Sequence, residues 1–227
     1  MYAFENTWSI VGLVGVIVLA RAVAAHLQSL KAHREAVLEF VDSALIAVLL
    51  VFCILRPFVV QAFYIPSGSM EPTLQENDRI LVNKFVYYFK PPQVGDIVVF
   101  DAPLAADPSL AKRKLDFIKR IVGGPGDRIK VIDRSLYRNG VPVTEPYIKD
   151  PPVYTWPEEA ENGEEWVVPQ GHVLVFGDNR NNSNDGHRWG TLEPNGVFRP
   201  EPFLPIPNVR GKAMLIFYPP QRVGLLH

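Results

Sequence analysis

Phe63-Tyr-Ile-Pro-Ser-Gly-Ser-Met-Glu-Pro-Thr-Leu74 marks the point where the chain changes character. Before it lie long apolar segments. After it come short runs of Ile, Val, Phe and Tyr separated by Pro and Gly, the pattern of antiparallel strands joined by fixed loops. Within the stretch, Gly68 gives the backbone unusual freedom while Pro66 and Pro72 fix φ on either side, so the hydroxyls of Ser67 and Ser69 are presented rigidly, as a nucleophile requires. Taken alone, Pro-Ser-Gly-Ser is also an ordinary turn composition.

Toward the N-terminus, Trp8 to Ala25 is apolar apart from Arg21, long enough for a spanning helix if the arginine reaches the interface. A cleaved signal peptide is the alternative, but residues 1 to 7 hold Glu5 and neither Lys nor Arg. Val37 to Leu55 reads as a second helix, interrupted by Glu39, Asp42 and Ser43, with an apolar core from Ala44 to Leu55. Arg21, Lys31 and Arg34 between the two segments place that loop in the cytoplasm and everything after Leu55 outside. Phe58, Val59, Val60 and Phe63 suit an interfacial path or equally a core strand.

Toward the C-terminus, Arg79 to Tyr88, Asp96 to Phe100, Phe117 to Val122, Arg128 to Ile132, His172 to Phe176 and Lys212 to Tyr218 read as strands. Asn139-Gly140, between Leu136-Tyr137 and Val141 to Val143, predicts a two-residue hairpin. The acidic, proline-rich stretch Glu145 to Glu165 reads as an exposed excursion. The chain has 227 residues, 48% of them hydrophobic, with 21 prolines and 16 glycines. That is enough for one sizeable domain, mainly β, beyond an anchor. A net charge of -1 gives no support to nucleic-acid binding, and a single cysteine, Cys53, excludes an intramolecular disulfide and a four-cysteine zinc site.

A serine attacks an amide at neutral pH only with a base to take its proton. Of the five histidines, His26 and His33 lie at the anchor and His227 at the terminus, leaving His172 and His187. The better candidate is Lys119, set among aliphatic residues in Phe117-Ile-Lys-Arg-Ile-Val-Gly-Gly-Pro-Gly-Asp127, where burial would lower its pKa and free a neutral amine. A lysine on a solvated strand face is the bland alternative. Strand alternation puts Lys119 and Arg120 on opposite faces, so one is expected inside and the other outside.

Ile65-Pro-Ser-Gly-Ser-Met-Glu-Pro-Thr-Leu74, Gly95-Asp-Ile-Val-Val-Phe100, Lys119-Arg-Ile-Val-Gly-Gly-Pro-Gly-Asp127 and Gly177-Asp-Asn-Arg-Asn-Asn-Ser-Asn-Asp185, in this order behind two apolar segments, resemble the bacterial type I signal peptidases (leader peptidases). The resemblance runs from the anchor to about Tyr218. It implies a serine endopeptidase that cuts signal peptides from exported preproteins after small residues. Ser69 is then the nucleophile and Lys119 the general base, with no metal and no organic cofactor. By the same resemblance Ser67 and the backbone N–H of Ser69 form an oxyanion hole, Ser183 orients the lysine amine, and Asp185, Asp178 and Arg120 are supporting polar residues. Phe63, Ile65, Met70, Leu74, Phe117 and Ile118 line a shallow pocket, although all six would serve equally in a core.

The implied architecture is a membrane anchor at residues 1–57, two transmembrane helices joined by a cytoplasmic loop at about 27–36. An antiparallel β catalytic domain follows at 58–227, with a small inserted β subdomain at about 130–171. The implied setting is the bacterial cytoplasmic membrane, multi-pass, with the catalytic domain on the extracytoplasmic face; the partners are signal peptides and the lipid bilayer, without nucleic acid. A relative restricted to a few dedicated substrates and a catalytically silent β module that binds exported chains are the competing readings. The last motif departs from the commonest family pattern, which continues after the aspartate with Ser-Arg. Here Gly186-His187 and then Arg188 follow, leaving the family's Asp-Arg pair absent or remade by His187 or Arg188.

Overall fold

The structure, a computed structural model, describes residues 2–3, 15, 17–19, 22–23, 34–51, 60–107, 109, 115–158, 162–193 and 195–226. By internal contacts the chain divides into two compact units, Phe4–Gln61 and Met1–Ala3 with Ala62–His227. In the first unit, α1 (Arg34–Leu50) covers 17 residues and leaves Phe40 and Ile46 largely exposed. Most of the expected first transmembrane segment, Trp8 to Ala25, and the end of the second, after Val51, lie outside the described residues. Among the described residues, no helix is long and apolar enough to cross a membrane.

The strands are β1 (Tyr2–Ala3), β2 (Val60–Tyr64), β3 (Arg79–Asn83), β4 (Ile97–Asp101), β5 (Asp116–Gly123), β6 (Arg128–Ile132), β7 (Ser135–Arg138), β8 (Val141–Pro142), β9 (Trp166–Val167), β10 (His172–Phe176), β11 (Gly190–Leu192), β12 (Phe198–Pro200), β13 (Phe203–Pro205), β14 (Val209–Tyr218) and β15 (Gly224–Leu225). The main sheet has the order β1-β2-β3-β14-β4-β5-β10-β13, with β15 also on β14. β14 pairs antiparallel with both β3 and β4 and carries register shifts on both ladders, so this ten-residue strand bends as it changes partners. A four-stranded sheet, β8-β7-β6-β9, and the β11-β12 hairpin complete the fold, which among the described residues is mainly β and antiparallel.

The central strands are apolar on both faces because the main sheet is covered on both. Ile97 and Val99 of β4 pack with Phe63, Ile65, Met70 and Leu74, whereas Val98 and Phe100 pack with Ile121, Val175 and Trp189. A continuous Ile-Val-Val-Phe run is what such double burial requires. A third cluster joins Val122, Leu174 and Phe176 of the main sheet to Ile129, Val131 and Leu136 of the small one and to Trp156.

Two expectations are corrected. The strand expected to run to Tyr88 stops at Asn83, because the Asn83 side chain accepts from the N–H groups of Phe85 and Val86 at 2.8 and 3.0 Å and starts a 3-10 turn, Val86–Tyr88. The excursion after Glu145 is not simply exposed: Trp156 is buried and bonded through its backbone to Val131, and Glu145 itself is drawn inward. The Asn139-Gly140 turn forms as expected, with φ of 56° and 79°. A second two-residue turn, Asp133-Arg134 at φ 50° and 60°, joins β6 to β7 without a glycine to announce it.

Candidate active site

Ser69 sits in a 3-10 turn, Gly68–Met70, directly after β2 and Ile65. Met70 is fully buried and anchors the turn, leaving Ser69 half-buried and Ser67 exposed in an extended conformation without a capping hydrogen bond. The turn is held from across the fold: the Asn179 side chain donates to the Gly68 carbonyl at 3.0 Å and the Asn179 N–H to the Ser69 carbonyl at 3.2 Å.

Lys119, on β5, reaches this turn. Its Nζ lies 2.8 Å from Ser69 Oγ and donates to the Ile118 carbonyl at 2.8 Å. Lys119 and Arg120 are 4% and 2% exposed. The expectation that one would face outward fails because β5 lies between two cores: Lys119 stands opposite Val98 and Arg120 opposite Ile97, both fully packed. Burial brings the Lys119 amine down from its ordinary 10.5 to about 8, although the carboxylates of Asp185 and Asp178 pull it partly back up.

The second buried cation is fully paired. Arg120 donates to both Asp178 oxygens at 2.9 and 2.8 Å and to the Gly95 carbonyl at 3.0 Å, and lies 4.0 Å from the Tyr147 ring centre. Asp178 also accepts from Thr73 Oγ1, four residues after Ser69. Arg180 repeats the arrangement with Glu145, through two contacts of 2.6 Å, while Tyr147 donates to the same carboxylate. Glu145, Tyr147 and Thr73 are not singled out by the sequence motifs. The available clue is that two buried arginines each demand a carboxylate, and Glu145 opens the acidic stretch.

Ser183, expected to orient Lys119, is buried with its side chain against Gly177, and its Oγ makes no hydrogen bond of ordinary geometry to the amine or to any other group described. Asp185 accepts from the Gly177 N–H at 2.7 Å and from His187 Nδ1 at 2.6 Å, so the aspartate's missing arginine partner is replaced by His187. Burial pushes the Asp185 carboxyl up. The His187 ring, through its hydrogen bond and the charge an imidazole carries in acid, together with Ser183 and the Gly177 N–H, more than offsets this and holds the carboxyl below its usual range.

A cleft of about 460 Å³ opens over these groups, lined by Ile65, Pro66, Ser67, Gly68, Ser69, Phe117, Ile118 and Lys119 on one part and Glu76, Asp116, Asn182 and Asn184 on another. Of the six apolar residues expected at the pocket, Ile65, Phe117 and Ile118 line it. Phe63, Met70 and Leu74 are fully buried beneath it in the core that supports the turn. Neither candidate histidine replaces Lys119 beside Ser69: His172 bonds the Gln170 carbonyl, and His187 is engaged by Asp185 and Arg188. Among the described residues there is no cluster of three or more His, Cys, Asp or Glu side chains able to hold a metal ion.

Comparison with known proteins places this chain in a family. The family profile described as signal peptidase, peptidase S26, matches residues 37–218. Probable signal peptidase I-1 of Synechocystis sp. is 42% identical over 182 residues, covering 80% of this chain and 83% of its own length. Signal peptidase I of Pseudomonas aeruginosa is 32% identical over 222 residues, with coverage of 82% and 75%. Thylakoidal processing peptidase 1 of Arabidopsis thaliana is 39% identical over 163 residues, 70% of this chain and 42% of the plant protein. A match over most of the chain, at this identity and across the turn that carries Ser69, identifies a serine peptidase: the chain belongs to the type I signal peptidases of the peptidase S26 family.

Proposed function

We propose that this chain is a membrane-anchored endopeptidase that removes signal peptides from exported preproteins, with Ser69 as nucleophile and Lys119 as general base. The observation that carries the reading is the 2.8 Å contact between the Lys119 amine, buried and brought to about 8, and Ser69 Oγ at the floor of an open cleft. A neutral amine has two N–H bonds and one lone pair. Donation to the Ile118 carbonyl uses one N–H and leaves the lone pair for the Ser69 proton.

As Ser69 Oγ attacks the scissile carbonyl, its proton passes to Lys119, and the resulting ammonium returns it to the leaving amine. The acyl-enzyme is released by a water that gives its proton to the same amine. Ser67 Oγ and the Ser69 N–H, both at the cleft, are the donors for the developing oxyanion, where a single donor contributes about 3 to 4 kcal/mol. The anchor reading rests on the two apolar N-terminal segments and on the apolar side chains that α1 leaves exposed, including Phe40 and Ile46. By the charges between those segments, the catalytic domain stands on the extracytoplasmic face of the cytoplasmic membrane.

The apolar wall of Ile65, Phe117 and Ile118 suits a small side chain before the cut. In detergent, a preprotein with alanine at that position is cleaved, and its phenylalanine variant is cleaved about 100-fold more slowly, since the extra ring must repack a supported wall. Equal rates on the two substrates contradict a small pocket.

Gly177 provides a second test. A Cβ there would overlap the Ser69 carbonyl and the Ser183 side chain, so Gly177→Ala must displace the Ser69 turn. Cleavage is expected to fall by about 100-fold, because small displacements of reacting groups carry effects of that order. Unchanged kcat in a folded Gly177→Ala protein would mean that the turn tolerates the shift.

A further inference from the structure

The departure at Gly186-His187 leaves an imidazole enclosed between a buried carboxylate and a guanidinium. Asp185 is fully buried, and its ionised oxygen accepts from His187 Nδ1 at 2.6 Å. Arg188 Nε lies 3.1 Å from His187 Nε2. A carboxylate only accepts and a guanidinium only donates, so the two partners fix the ring as the neutral tautomer: Nδ1–H donates to Asp185, and the Nε2 lone pair accepts from Arg188. The ring is immobilised on its flat sides as well. Tyr154 stacks on it at 4.2 Å with planes 2° apart, and the Phe176 ring meets it edge-on at 5.8 Å. The charged groups around this assembly are Asp185 and Arg188 from its own loop and, beyond Tyr154, the Arg180–Glu145 pair.

We propose that His187 is a positioning residue for the reaction: it clamps the Asp185 carboxylate against the Gly177 N–H while leaving that carboxylate its full negative charge beside Lys119. The clamp matters because Gly177 abuts the Ser69 carbonyl, so a carboxylate free to turn loosens the wall behind the nucleophile. The charge matters because Asp185 opposes loss of the Lys119 proton. An arginine in direct contact with Asp185 would neutralise that field; a neutral imidazole relays a hydrogen bond from Arg188 without cancelling it. The inference rests on Lys119 being the base.

Three substitutions in the full-length protein in detergent separate the parts, read by the pH profile of kcat/KM and by kcat and KM apart. His187→Ala removes the clamp. A drop of about 10- to 100-fold in kcat with little change in KM is expected, the scale of a lost hydrogen bond to a buried charge, and the basic-side limb stays in place, because a neutral ring takes no charge away with it. His187→Asn places an amide N–H near the position of Nδ1 and recovers most of that loss, with the limb again in place. His187→Arg sets a cation beside Asp185, and the limb moves to lower pH by about one unit. A limb that moves in His187→Arg alone, with kcat lost in His187→Ala and recovered in His187→Asn, supports the proposal. A limb that stays fixed in all three proteins, with activity falling only in step with the melting temperature, overturns it and leaves His187 a packing residue. Failure of the underlying dyad is distinguishable, because the unsubstituted enzyme would then show no limb near 8.

Discussion

Ser69→Ala and Lys119→Ala each abolish cleavage, by about 10⁴-fold or more, and the double substitution is barely worse than either alone. The reason is that nucleophile and base act as one unit across a single 2.8 Å contact. Once the hydroxyl is gone there is no proton for the amine to take, and without the amine the hydroxyl remains a poor nucleophile. Both variants stay folded. Ser69 is half-buried and surrenders one contact, and Lys119 burdens the fold at neutral pH. Its folded pKa of about 8 lies below the ordinary 10.5, so the unfolded chain holds the proton more tightly. The resulting penalty, about 3 kcal/mol from that difference, is full below about pH 8 and relieved as pH rises toward about 10.5. Kinetics with a preprotein substrate and thermal melts of all three variants check both halves; additive losses would show that the two residues act separately.

Asp178→Ala should cost about 3 to 5 kcal/mol of stability. Its carboxylate is fully buried and receives two bonds from Arg120 and one from Thr73, and its backbone carbonyl accepts from the Lys149 N–H. Removing it leaves the Arg120 guanidinium in a dry environment with the Gly95 carbonyl and the Tyr147 ring for company. The chemical step should fall as well, since Thr73 follows the Ser69 turn and Asn179, the next residue, holds it. Denaturant unfolding measures the first effect. A change under about 1 kcal/mol would mean that water reaches Arg120 and that the pair is not sealed.

The sequence is informative wherever a local requirement falls on one or two residues. Asn139-Gly140 announces its turn because both residues adopt positive φ, and the glycines and prolines around Ser69 and after Lys119 mark the ends of strands. Asp133-Arg134 makes an equivalent turn unannounced, since arginine at φ 60° is held there by the pairing of β6 with β7 and not by its own preference. Alternation misleads at Lys119-Arg120 because it assumes a sheet with one wet face. Only the second layer, packed through Val98, Phe100 and Ile121, makes both positions interior. The pocket is similarly a matter of depth. Phe63, Met70 and Leu74 belong to the same apolar set as Ile65 and Ile118, yet lie one layer below the cleft. Long-range pairs such as Arg180 with Glu145 leave little local mark beyond the acidic stretch that Glu145 opens. They emerge only when the stretch after Glu145 is wrapped around the 177–181 loop, where Asn181 also bonds the Pro151 carbonyl and the Val153 N–H.

The central claim, that Lys119 is the base, is tested most directly by the pH dependence of kcat/KM for preprotein cleavage with Ser69 intact. The rate is expected to rise through a single basic-side limb near pH 8, where the buried amine loses its proton, and to keep this limb in His172→Ala and His187→Asn. A limb near about 6.5, the ordinary range of histidine, that disappears on substitution of either histidine would contradict it and transfer the base role to that ring.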